Sequence, residues 1–337
     1  MRLLLILLLA GIATVQARVA DMARPVAIVI HGGAGTILRE NLTAEIEAAY
    51  REKLSEAVRA GHDVLEAGGS SREAVIAAIR VMEDSPLFNA GKGAVFTHEE
   101  KVELDASIME GRTLNAGAIT GVTRARNPIR LANAVLEHSP HVMLMGEGAE
   151  AFAAEQGIEL VDNDYFYTDR RLEQLRKVKQ ADDKTALSED DDLGRALDDK
   201  QLGTVGAVAI DRRGDIAAGT STGGMTNKRF GRIGDSPIIG AGTYADNGVC
   251  GISATGHGEY FIRAAVAHDI RARVEYKGIA LQQAADEVVM EKLRAMGADG
   301  GIIGLDASGN VVYSFNSAGM YRASIDTDGR ESVAIFR

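Results

Sequence analysis

Apolar residues recur at two spacings along the chain, and the change from one to the other marks out its elements. The opening of the described pattern, "RPVAIVIHGGAGT" (24–36), is a continuous apolar run closed by a glycine turn, which predicts a short buried strand. Between Thr43 and Ala67, the residues Ile46, Ala49, Tyr50, Leu54, Ala57, Val58, Val64 and Leu65 fall near helical spacing. Gly68 and Gly69 stop that helix, and Ser70-x-x-Glu73 opens a second one as a capping box. "ELDASIMEG" and "AGAITGV" read as paired strands around a turn, and "NPIRLANAVLEHS" and "GEGAEAFAAEQG" as helices. From 179 to 201 the pattern dissolves. "ADDKTALSEDDDLGRALDDKQ" carries eight acids and few large apolar residues, so a solvated, mobile linker is predicted there.

Past that stretch, "TVGAVAID", "RRGD" and "IAAGTSTGG" read as strand, turn and strand. Helices are predicted around Glu259–Ala272 and Gly278–Met296, and a last hairpin turns at Ala307–Asn310. Strands cluster at both ends of each half with helix pairs between them. That order is not strict βαβ alternation, so antiparallel sheets covered by helices are predicted rather than a doubly wound parallel sheet.

Composition narrows the function classes. The chain has 337 residues, 46% of them hydrophobic, which is enough for one large domain or two small ones. Glycine is abundant at 38 residues and proline scarce at 5, as suits a sheet-rich enzyme with tight turns. A formal charge of −11, with no uninterrupted basic cluster, argues against nucleic acid or an anionic membrane as partner. "MRLLLILLLAGIATVQA" combines one basic residue, an apolar stretch short for a membrane span and a small-x-small end. It reads as a secretory signal cleaved after Ala17 or Ala20, with an uncleaved anchor as the alternative, and places the mature protein in a periplasmic or secreted setting. Loss of Arg2, the one charged residue before Ala17, takes the charge from −11 to −12. The single cysteine, Cys250, rules out an internal disulfide and reads as a small buried hydrophobe.

Two short motifs point toward an α/β-hydrolase. "HGGAG" (31–35) looks like a lipase oxyanion loop, and "GTSTG" (219–223) fits the nucleophile elbow with Ser221 as nucleophile. An elbow serine is followed directly by a helix, whereas "GMTNKRFGRIGDSP" is a polar, glycine-broken loop, so that reading is set aside. The seven histidines show no metal-ligand spacing, and most read as surface or structural. Gly203-Thr204 offers different chemistry. A threonine hydroxyl needs an adjacent base, and a threonine at a new chain N-terminus has its own α-amine, with an unperturbed pKa of roughly 7.7–8.0. An internal threonine gains that amine only when the preceding peptide bond is cut, and glycine before it admits close approach to the scissile carbonyl.

The segments "HGGAGT", "PLFNAGKGAVFT", "ELDASIMEG", "LGTVGAVAID", "TSTGGMTNKRFGRIGDSPIIGAGTYADN" and "SATGHGE" resemble, in order, the plant-type L-asparaginase/isoaspartyl peptidase family of N-terminal-nucleophile hydrolases. The resemblance runs from about Val26 to the end. It implies an α+β fold, a four-layer αββα sandwich with antiparallel central sheets. It implies self-cleavage between Gly203 and Thr204 into an α chain (18–203) and a β chain (204–337) that together form one domain. Thr204 is then the nucleophile and Thr222 the hydroxyl beside it. Thr255 and Gly256 form the oxyanion hole. Arg232 and Asp235 grip the substrate's α-carboxylate and α-amine, with Gly258 a further contact near the amine and Asn89 an α-chain residue near the nucleophile. The implied substrates are β-aspartyl peptides and L-asparagine, the implied assembly a dimer of αβ units, and no cofactor is needed for catalysis. A structural sodium ion is implied on main-chain carbonyls of Met82, Glu83, Ser85, Phe88, Ala90 and Lys92. Two rivals remain: a glycosylasparaginase of the same fold, and an extracytoplasmic amino-acid-binding protein that has lost catalysis.

Overall fold

The structure, a computed structural model, describes residues 26–186 and 203–337. The signal segment 1–17 therefore lies outside the described residues. Strand β1 (Ala27–Gly35) is followed by α1 (Ala44–Glu66) and α2 (Ser71–Glu83), then β2 (Leu104–Glu110) and β3 (Ala116–Val122). Next come α3 (Pro128–His138), β4 (Met143–Met145), α4 (Gly146–Glu155) and α5 (Asp169–Ala186). After the undescribed segment, β5 (Val205–Ile210), β6 (Ile216–Thr222), β7 (Thr243–Asp246) and β8 (Cys250–Gly256) precede helices α6 (Gly258–Ala264), α7 (Val266–Lys277) and α8 (Leu281–Asp286). A π-helical turn (Glu287–Leu293) extends α8, and β9 (Gly300–Asp306), β10 (Val311–Phe315), β11 (Gly319–Ile325) and β12 (Glu331–Phe336) close the chain.

The capping box read from the sequence is present, and a side-chain cap opens the first helix as well. Thr43 caps α1 by accepting from the Ile46 N–H, and Ser70 and Glu73 form the reciprocal capping box of α2. The strands form two sheets, an eight-stranded one in the order β12-β11-β1-β5-β6-β2-β3-β4 and a four-stranded one in the order β10-β9-β8-β7. All pairs are antiparallel except β3 with β4, a parallel edge pair that departs from the purely antiparallel expectation.

Three apolar cores fill the spaces between four layers. One lies under α1, α2 and α3 on the outer face of the large sheet, with Ile28, Ile30, Val205 and Ala207 pointing into it. A second lies between the sheets, where Ala27, Val29, Val208 and Ile210 meet Ile303 and Leu305. The third packs Ile252 and Ala254 of the small sheet against α7 and α8. The alternation 27/29 inward and 28/30 outward is the two-residue period of a strand buried on both faces. The αββα sandwich is therefore present.

Four further expectations need correction. The hairpin turning at Ala307–Asn310 joins β9 and β10 but is not the last, because β11 and β12 form another after it. The predicted helix over Glu259–Ala272 is two helices, broken where Ala265 takes a left-handed conformation (φ 48°). The helix expected from Gly278 begins at Leu281, with Gly278 instead capping α7 at φ 66°. The acidic stretch 179–201 is not wholly a linker: α5 continues to Ala186, and Asp182 on it accepts a 2.8 Å hydrogen bond from Asn227 Nδ2. The rest of that stretch, up to Gln201, lies outside the described residues.

Candidate active site

Thr204 immediately precedes β5, which lies in the middle of the large sheet between β1 and β6. Since Val205, Ala207 and Ala209 face the helices, Thr204 and Gly206 share the face turned toward the small sheet. The register pairs Val205 with Ser221, which sets Thr204 beside Thr222. The Thr204 hydroxyl donates to Thr222 Oγ1 at 3.0 Å, and the Gly224 N–H donates to the same oxygen at 3.0 Å, fixing its position. Thr204 is nearly enclosed, at 8% exposure.

Asn89 ties the residue before Thr204 to the same region. Its N–H donates to the Gly203 carbonyl at 3.0 Å, and its carbonyl accepts from the Gly223 N–H. Its side chain is used up in holding the loop, with Nδ2 donating to the Gly224 carbonyl and Oδ1 accepting from the Val95 N–H. Thr222, Thr204, Gly203 and Asn89 thus form one hydrogen-bonded group.

Arg232, Asp235 and Gly258 form a second group. Asp235 is buried, one of its carboxyl oxygens has no partner among the described residues, and burial pushes its pKa up to about 7 despite the nearby Arg232 charge. A Cβ on Gly258 would lie 2.8 Å from Arg232 Nη2 and 3.0 Å from Asp235 Oδ1, so only glycine leaves this space open. Arg232 is held by a residue to which the sequence assigned no site role. Glu259 accepts from its Nε and Nη2, both at 2.8 Å, and this pair keeps the guanidinium charged even though burial opposes it.

Thr255 and Gly256 end β8. Ile252 and Ala254 face the helices, so Ser253 and Thr255 face the large sheet. The Thr255 hydroxyl is buried with no hydrogen-bond partner among the described residues, which leaves it available as a donor. A side chain on Gly256 would collide with the Asp299 carbonyl at 2.6 Å.

A chain of buried hydroxyls between the two sheets was not foreseen. His31 Nε2 lies 2.9 Å from Ser253 Oγ, which is 2.8 Å from Thr220 Oγ1, and Thr220 is in turn 2.5 Å from Thr243 Oγ1. Ser107 stands 2.8 Å from Thr243 and donates to the Ser236 carbonyl at 2.6 Å. Burial pushes the His31 imidazole down to about 3, against a smaller opposing effect of the Thr204 main chain beside it. One end of this chain therefore touches Thr204, and the other holds the residue after Asp235. All five lie within the segments that carry the resemblance, which gives none of them a role; what unites them is that each occupies the inward face of its strand. Ser221, by contrast, sits on the outer face of β6 and donates to the buried carboxyl of Glu83 at 2.7 Å, with no helix directly after it. The elbow reading fails on geometry as well as on sequence.

Among the described residues, no cluster of three His, Cys, Asp or Glu could hold a metal ion. The 82–92 turn offers main-chain oxygens instead. Cβ atoms on Gly91 and Gly93 would lie 2.3 Å from the Glu83 carbonyl oxygen and 2.1 Å from that of Phe88, so the loop is drawn tight against both carbonyls. The Ala90 carbonyl accepts from the Gly93 N–H with a lone pair to spare, whereas the Met82 carbonyl already accepts from the Asp84 and Ser85 N–H groups. These oxygens suit a hard monovalent cation. Cys250 is buried and free, with its thiol pushed up to about 12 by burial, in keeping with a packing role.

The arrangement sets a nearly enclosed threonine hydroxyl beside a second hydroxyl, with free donor and carboxylate groups in the same inter-sheet seam. Comparison with known proteins agrees with it. Residues 24–335 match the Asparaginase_2 family, described as asparaginase. The chain is 52% identical over 297 residues to the isoaspartyl peptidase of Escherichia coli, covering 88% of this chain and 91% of the relative. It is 42% identical to a probable isoaspartyl peptidase/L-asparaginase 2 of Arabidopsis thaliana, covering 92% of this chain and 98% of that one. It is 43% identical to a plant-type L-asparaginase of Pyrococcus horikoshii, with 91% and 98% covered. Family match, layered fold and inter-sheet site agree, and the chain belongs to the asparaginase family that includes the isoaspartyl peptidases and plant-type L-asparaginases.

Proposed function

We propose that this chain is a self-cleaving threonine amidohydrolase that releases L-aspartate from β-aspartyl dipeptides and L-asparagine. The observation that carries the reading is the 3.0 Å hydrogen bond from the Thr204 hydroxyl to Thr222, at the residue that follows Gly203. In processing, Thr204 Oγ1 attacks the Gly203 carbonyl carbon, the Gly203–Thr204 C–N bond breaks, and the ester formed is hydrolysed by water. The products are a Gly203 carboxylate and a Thr204 α-amine. The Asn89 N–H, already on the Gly203 carbonyl oxygen, is placed to stabilise the charge that develops there.

In turnover the α-amine acts first as base and then as acid. Thr204 Oγ1 attacks the substrate's side-chain carbonyl, and the Thr255 hydroxyl and Gly256 N–H receive the oxyanion. Arg232 holds the α-carboxylate and Asp235 the α-ammonium, opposite charge against opposite charge. Water then cleaves the aspartyl ester and frees aspartate. A sodium ion on the Met82, Glu83, Ser85, Phe88, Ala90 and Lys92 carbonyls belongs to this reading as a structural element that stiffens the turn bearing Asn89. The N-terminal 17 residues act as a secretory signal, and the processed enzyme is a dimer of αβ units.

Intact mass spectrometry of the purified protein, with Thr204→Ala as control, tests the reading. Two fragments split between Gly203 and Thr204, absent from the control, are expected, with turnover of a β-aspartyl dipeptide only in the split form. A persistent single chain that binds aspartate would favour an inactive binding protein. Turnover of a glycosylated asparagine in preference to the dipeptide would favour a glycosylasparaginase.

A further inference from the structure

Resting on the hydrolase reading, a second binding site follows from where the leaving group must go. When the amide C–N bond breaks and the Thr204 Oγ1 ester forms, the departing amine takes its proton from the Thr204 α-ammonium. It must therefore stand beside that nitrogen. In the uncut chain the same nitrogen is bonded to Gly203, so the leaving group belongs on the Gly203 side.

A cavity of about 230 Å³ lies on that side, lined among others by Gly203, Asn89, Phe88, Tyr50, Arg170 and Arg171. Its roof is aromatic: Tyr50 stacks on Tyr321 with ring centres 4.1 Å apart and meets Phe88 edge-on. Gly32 makes the room, because a Cβ there would meet the Phe88 ring at 2.4 Å. The two arginines come from the first turn of α5, and both make only neutral contacts. Arg171, 5% exposed, donates from Nε to the Gly93 carbonyl and from Nη1 to Gln174 Oε1. Arg170 donates to Tyr50 Oη and to the Pro86 and Leu87 carbonyls. Neither guanidinium has a carboxylate partner among the described residues. Arg170 is exposed, but Arg171 is buried, and a buried guanidinium without a counter-ion is costly unless an anion comes to meet it. Its burial, with Arg170 alongside, draws the Arg171 pKa down to about 10, the electrostatic mark of that missing partner.

We propose that this cavity is the leaving-group subsite, and that Arg170 and Arg171 bind the α-carboxylate of the amino acid released from a β-aspartyl dipeptide. The aromatic roof covers that amino acid's side chain. L-asparagine, which releases only ammonia, makes no use of the pair.

The test compares kcat/KM of the processed enzyme for β-aspartyl-alanine and for β-aspartyl-alaninamide, which differ only in that carboxylate. A preference of roughly tenfold for the acid is expected, equivalent to about 1.4 kcal/mol, and Arg170→Gln and Arg171→Gln each bring the ratio toward one. Should the buried Arg171 variant fail to fold, Arg170→Gln and the two substrates on the unaltered enzyme carry the test. A ratio within twofold of one in the unaltered enzyme overturns the subsite. If that result comes with a lower Tm for processed Arg170→Gln, the arginines serve the new Gly203 carboxylate instead. Failure to hydrolyse either dipeptide or L-asparagine overturns the hydrolase reading itself, a result distinct from turnover without carboxylate preference.

Discussion

Asp235 carries its charge reluctantly, because burial disfavours the carboxylate more than Arg232 favours it, and its pKa rises to about 7. In the unfolded chain the same group titrates near its ordinary value of about 3.9. Between those limits the native state holds the extra proton, so its contribution to stability falls as pH rises, by up to about 1.4 kcal/mol per unit. Asp235→Asn removes that slope. The variant's Tm advantage over the unaltered protein should be larger at pH 8 than at pH 5, and its loss of affinity for aspartate should likewise be larger at pH 8, where Asp235 is ionised. Equal advantages at the two pH values would show an Asp235 that is ionised throughout. Asp235, like Thr204, Thr222 and Arg232, was named from the sequence because the resemblance gives each a role, and the structure groups Thr204 with Thr222 and Arg232 with Asp235. Glu259 was given no role, although it clamps Arg232, because a carboxylate at a helix start reads as an ordinary first-turn acid. His31 was passed over for a related reason: only the pairing of β1 with β5 brings it to Thr204.

Among the elements, those with strong local signals were read well. Helices α1 and α2 announced themselves by spacing and caps, and β2, β3, β5 and β6 by dense apolar runs. Strands β7, β8, β11 and β12 were not separately legible, since glycine, serine and tyrosine dilute their patterns and their partners lie far along the chain. The hydroxyl chain belongs to this scale, for it pins β2 and β6 of one sheet to β7 and β8 of the other. Thr243→Val keeps the shape but leaves the Ser107 and Thr220 hydroxyls short of a partner inside the protein. A loss of about 1–3 kcal/mol is expected, read as a lower Tm, with Thr243→Ser restoring most of it. Full stability of the valine variant would mean that water or a neighbouring carbonyl replaces the hydroxyl.

At the scale of the molecule, the layered architecture was legible as antiparallel sheets under helices, but the strand order was not, because it depends on contacts between distant segments. That order has a consequence for the proposed cut. In the large sheet, β12 and β11 come from the C-terminal piece, β1 from the N-terminal one, β5 and β6 again from the C-terminal one, and β2, β3 and β4 from the N-terminal one. The two pieces therefore meet along three strand seams, β11 with β1, β1 with β5 and β6 with β2. They should migrate as one body under native conditions and part only in denaturant. The uncut chain folds as a single molecule, at a rate indifferent to dilution. The processed form, once unfolded, becomes two strangers that must collide before either can complete a sheet, so its refolding should slow in proportion to dilution while that of Thr204→Ala does not. Processing then acts as a ratchet: the cut that creates the catalytic amine also removes the covalent memory of how to rebuild the site around it.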